Sequence, residues 1–189
     1  MGTGQKEMLN KITDMQEQLS RVQIEYWLQY TNLTTVRFWI VFLMFVIPLI
    51  VLYFRIDRKI IFLLGFYGFN VHIWFSYINI WGVKQGYWDY PYELLPFIPG
   101  NISLDSSLIP VLFIFVYQWC LNRNKNVHLY SLALIAFLSF VFKPILMGVD
   151  LFNLNKGVNP IHIFILYCIM YILSQLITII FLKMQEGSR

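Results

Sequence analysis

Gly86-Tyr87-Trp88-Asp89-Tyr90-Pro91-Tyr92-Glu93-Leu94-Leu95-Pro96-Phe97-Ile98-Pro99-Gly100 separates two strongly apolar segments. Its prolines rule out a long regular helix, because each lacks a backbone N–H and restricts the residue before it. Trp81, Tyr87, Trp88, Tyr90 and Tyr92 are residue types that settle at the headgroup level of a bilayer. The stretch therefore reads as a folded re-entrant or surface-lying loop, with Trp88, Tyr90, Pro91 and Pro96 as its structural residues. That reading holds only if its flanks are membrane helices.

Composition answers that question. Charged residues make up 13% of the 189 residues and apolar ones 58%, whereas a soluble domain carries about 25% charged residues. Too little polar surface remains to cover a water-soluble core. Apolar runs at 38–54, 60–80, 104–121, 127–147 and 161–182 have the length a bilayer requires. The fold class expected is all-α: an integral membrane five-helix bundle (37–183) preceded by an amphipathic heptad helix (1–36), with a short tail (184–189). No cleavable leader pattern precedes Phe38, so the first span is expected to serve as an uncleaved signal. The basic residues behind the net charge of +4 sit at the ends of apolar runs. No nucleic-acid-type cluster forms, and no nucleic-acid partner is expected. Cys120 and Cys168 fall at different depths and have no metal-ligand neighbours at useful spacing, so neither a disulfide nor a cofactor is expected.

Outward from the spans, Met8, Ile12, Met15, Leu19, Val22, Tyr26 and Leu33 alternate four and three apart, with Gln29 the one break. This is the a/d seam of a coiled coil over about three heptads. Ile12, Met15, Leu19, Val22 and Tyr26 are its candidate interaction residues, for a second copy of the chain or for another membrane protein. A helix lying on the bilayer surface is the competing reading, but such a helix wants a basic polar face, and here acids balance bases.

Polar residues inside the spans carry what chemistry the sequence offers. His72, Ser76 and Asn79 share one helical face. They serve either interhelical hydrogen bonding or a polar cavity around His72. Asp89 and Glu93 share a face if a local helical turn forms, and beside His72 such a pair can do acid–base work; otherwise they are solvated loop charges. Asp105 or Ser106 is expected to cap the third span. His72, Asp89, Glu93 and Asp105 are thus the candidate acid–base groups, without a nucleophile motif, phosphate loop or metal cluster beside them. Lys143, near the end of the fourth span, is expected to reach the interface with its stem or to pair with Asp105, Glu93 or Asp150. Tyr171, Ser174, Gln175 and Thr178 share a face and point to helix–helix hydrogen bonds.

Five spans place the termini on opposite sides. Arg55, Arg58, Lys59, Arg123, Lys125, Lys183 and Arg189 lie on one side. Lys6, Lys11, Arg21, Arg37, Lys84, Lys143 and Lys156 lie on the other. Lys6 and Lys11 are too far from a span end to count, and the tight loops are richest in basic charge. The C-terminus and basic loops are expected in the cytoplasm, with the aromatic–proline loop outside.

The run Gly86-x-Trp88-x-Tyr90-Pro91-x5-Phe97-x-Pro99, then Asp105-x4-Pro110 and Tyr117-Gln118, resembles a family of small multi-pass membrane proteins of spore-forming Gram-positive bacteria. The resemblance covers about residues 38–180. It implies the multi-span fold and a bacterial cell membrane, and no activity. That family's pattern carries Glu-Pro where this chain has Lys143-Pro144, so no ion-pair role is carried over to that position. A fainter likeness, through Pro91-Tyr92-Glu93 alone, is to membrane-embedded carotenoid cyclases.

The function expected is non-enzymatic: an association or accessory protein that oligomerises or binds a partner through its N-terminal helix and outer loop. An intramembrane enzyme on a lipid or isoprenoid is the first alternative. A small oligomeric channel or transporter is the second, although no internal repeat supports it.

Overall fold

A computed structural model describes residues 2–98 and 100–187. Pro99 of the central stretch and Arg189 of the basic count lie outside the described residues.

Helix α1 (Thr3–Tyr30) precedes five segments long and apolar enough to cross a membrane: Val36–Arg55, Arg58–Lys84, Leu104–Asn122, Val127–Gly148 and Pro160–Glu186. The first is helix α2 (Val36–Arg55), continuous through Pro48. The second is a 3-10 turn (Arg58–Ile60) followed by α3 (Ile61–Lys84). The third is a π-helical turn (Leu104–Leu108) followed by α4 (Ile109–Asn122). The fourth runs through α5 (Val127–Phe137), a second π turn (Leu138–Phe142) and α6 (Lys143–Gly148). The fifth is α7 (Pro160–Glu186).

Around an apolar core, several polar side chains face inward and many large apolar ones outward. Asn79, Asp105, Ser139, Lys143, Ser174 and Thr178 are buried, while Ile165, Ile169, Ile172 and Leu176 form an exposed stripe along α7. In water this arrangement would be upside down; in hydrocarbon it satisfies polar groups internally and leaves apolar ones to the lipid. The chain is a helical, multi-pass integral membrane protein.

Helix α3 packs along α7 and against α4, α4 against α5, and α2 against the first π turn. Both π turns end two residues before a proline, Pro110 and Pro144. A proline lacks the N–H that continues the ladder and its ring crowds the carbonyl four residues earlier. Widening the preceding turn to i→i+5 relieves that clash. The first widened turn contains Asp105, and the second ends one residue before Lys143.

The only strands among the described residues pair within the loops: β1 (Trp88–Asp89) runs antiparallel to β2 (Asn153–Leu154), with Trp88 opposite Leu154. The sequence did not signal this ribbon, since two residues carry no periodicity. It ties the aromatic–proline loop to the connection before α7.

Candidate functional site

Asn79, one turn before the end of α3, is the hub of a buried polar network. Its Nδ2 donates to both carboxylate oxygens of Asp105, at 2.8 and 2.9 Å. Its Oδ1 accepts from the Trp88 indole at 2.8 Å and from the Tyr90 hydroxyl at 2.9 Å. Lys143 Nζ donates to that same Tyr90 oxygen at 3.0 Å and lies 3.6 Å from the centre of the Phe152 ring. An Asn amide offers one acceptor and two donor hydrogens, and here both ends are engaged.

This geometry corrects four expectations. Trp88 and Tyr90 are 4% and 6% exposed, so they plug the bundle rather than lie open to the headgroups. A buried Asn oxygen in need of donors outweighs the aromatic preference for the interface. Lys143 is 2% exposed and turns inward instead of reaching the interface. Among the described residues it makes no ion pair within 4 Å: Asp105 is two bridging groups away, and Asp150 pairs with Arg37 at 3.6 Å on the surface. Asp105 does not cap its helix, because its carboxylate is held by Asn79. Asn101 Oδ1 accepts from Leu104 N instead. The Ser174 and Thr178 hydroxyls bond back to Met170 O and Ser174 O within α7, so they do not bridge helices, whereas Tyr171 does, to His128 Nδ1 at 2.7 Å.

The candidate acid–base groups do not converge. His72 Nδ1 meets the backbone oxygen of Asp105 at 2.7 Å, with Ser76 Oγ at 3.4 Å. Asp89 accepts from Asn153 and Asn155, at 2.9 and 2.7 Å, which fastens β1 to the loop beyond it. Among the described residues no grouping of three or more His, Cys, Asp or Glu is arranged to hold a metal ion. The space lined by Asn79, Trp88, Tyr90 and Lys143 measures about 20 Å³, room for one water.

Two glycines make the network possible. A Cβ on Gly82 would fall 1.8 Å from the Trp88 ring, so only a bare backbone lets the indole pass under α3. Gly100 has φ +92°, and a Cβ there would sit 2.9 Å from Asp105 Oδ2.

Outside the spans, α1 meets the loop at its own C-terminal end. Trp27 Nε1 donates to the backbone oxygen of Glu93 at 2.9 Å, and Thr31 Oγ1 to that of Pro91 at 3.5 Å. Burial, and then the negative charge of Asp105, push the Glu93 carboxyl up to about 8. The folded value lies above the ordinary 4.5, so the folded chain holds the proton more tightly than the unfolded one. The loop is therefore most stable at or below pH 4.5 with respect to this group, and loses that contribution as pH rises to 8. Glu93→Gln is expected to remove this component. The thermal midpoint of the variant minus that of wild type should grow from pH 4.5 to 8 and then level off. A difference that stays flat across the window would show that Glu93 titrates normally.

The sequence pointed to the His72–Ser76–Asn79 face and to Lys143, but not to Phe152, Trp27, Asn153 or Gly82. Comparison with protein-family profiles, with curated proteins and with solved structures finds no match to this chain.

Proposed function

We propose that this chain is a non-enzymatic membrane scaffold that associates with a second copy of itself through α1. One observation carries the reading. Over 28 residues α1 has no buried residue, and Ile12, Met15, Leu19, Val22 and Tyr26 are each between 45% and 61% exposed. An apolar seam of this regularity gains little from facing water, and burying it against a partner helix is its ordinary use.

A copy of the same helix suits the seam. Taking Ile12, Leu19 and Tyr26 as a and Met15 and Val22 as d, the flanking e and g positions are Leu9, Gln16, Gln23 and Lys11, Gln18, Glu25. No like charges face each other whichever way two copies run, and the antiparallel arrangement sets Lys11 against Glu25. The resemblance noted above accords with this reading: Trp88, Tyr90 and Pro91 of its signature lock the loop on which α1 rests. We place the protein in a bacterial cell membrane with the basic loops and C-terminus in the cytoplasm. Burial of Lys143 supports that orientation, since it leaves only Arg21, Arg37, Lys84 and Lys156 to weigh against the basic side. An enzyme acting on an isoprenoid would need far more room beside Lys143 than one water occupies.

The full chain in lipid nanodiscs is expected to have the mass of two copies, and Leu19→Glu that of one. Thr13→Glu, off the seam on the same helix, should leave the pair intact. A wild-type monomer, or equal dissociation by both variants, would end the proposal.

A further inference from the structure

We propose that the crevice between the first turn of α3 and the last turns of α7 binds an anionic glycerophospholipid. This site stands apart from α1 and from the Asn79 network. The crevice measures about 800 Å³ and runs from Arg58 and Lys59 down to Phe62, Phe66 and Phe181. It therefore joins a cationic mouth to an apolar floor, the two chemistries a phospholipid presents in that order.

Two features suit the mouth to an anion. Arg58 donates one Nη2 bond to the Tyr53 carbonyl oxygen at 2.7 Å, and the Lys59 ammonium has no hydrogen-bond or ion-pair partner among the described residues. The neighbouring acid, Asp57, is engaged elsewhere: it caps the 3-10 turn before α3, accepting from Lys59 N at 2.9 Å, and accepts from Asn122 Nδ2 at 3.3 Å. The floor selects a lipid over a soluble anion. Phe62 is 91% exposed, and Phe66 lies against Phe181 with ring centres 4.9 Å apart, which gives an acyl chain an aromatic surface to lie on.

The test is native mass spectrometry of the full chain, released from detergent after equilibration with phosphatidylglycerol or phosphatidylcholine of the same acyl length. Phosphatidylglycerol is expected to stay bound preferentially. Lys59→Gln should weaken its retention by about fivefold, the usual worth of one basic residue at an anionic surface. Lys125→Gln, in the other basic loop, should leave retention unchanged, and glycerol 3-phosphate in excess should not displace the lipid. Equal retention of both lipids, or an equal loss in both variants, would reduce the crevice to general surface charge. Displacement by glycerol 3-phosphate would make it a soluble-anion site and overturn the assignment.

Discussion

Asp105→Ala is expected to destabilise the protein by about 3–5 kcal/mol, the usual loss when one member of a buried charged network is removed and its counterpart stays behind. Two things are lost with the carboxylate. Both Asn79 N–H groups are stranded, and Lys143 is left in the core with only the Tyr90 hydroxyl and the Phe152 ring. Lys143→Met should cost less, because the thioether fills the space and brings no charge with it. The decisive measurement is the double variant Asp105→Ala/Lys143→Met. If the acid and the amine sense one another through Asn79 and Tyr90, the double change costs clearly less than the two single changes combined. Midpoints of thermal unfolding in detergent decide the matter. Additive losses would mean that the two groups are independent, and that Lys143 is simply a tolerated buried amine.

Gly82→Ala is expected to cost about 3 kcal/mol despite being a helix-favouring change. An alanine in an exposed helix interior gains roughly 0.5–1 kcal/mol over glycine. At Gly82 that gain is overwhelmed, because the new methyl would occupy the space of the buried Trp88 ring. Overpacking costs about 1–3 kcal/mol, and displacing the indole also breaks its bond to Asn79, worth about 1 kcal/mol. Gly65 is the matched control, in the same helix with open space where a Cβ would go. Gly65→Ala should be neutral or slightly stabilising, and tryptophan fluorescence should shift for Gly82→Ala alone. Equal behaviour of the two variants would falsify the close packing of Trp88 under α3.

The five spans and the heptad helix were legible because both rest on periodicity and run length, which survive without knowledge of neighbours. The face shared by His72, Ser76 and Asn79 was legible for the same reason. Which partners that face meets was not. Asp105 reaches Asn79 because the π turn before Pro110 alters the helical phase, and a one-residue change of phase leaves no mark in hydropathy. The second π turn precedes Lys143, whose position near the end of the span predicts an exit to the interface that its burial denies. Trp88 and Tyr90 were misplaced for a different reason. The headgroup preference of aromatic residues is an average, and it gives way where an amide oxygen inside the bundle needs donors.

The order of the network along the chain has a bearing on biogenesis. Asn79, Trp88, Tyr90 and Asp105 all leave the ribosome before Lys143 does, and α7, which packs along α3, comes last. The acid can thus find its amide as soon as the third segment enters the translocon, while the lysine must be admitted to a half-built core that already has a phenol waiting for it. The fifth segment then closes the seam along α3, so until it inserts the polar core stands half open.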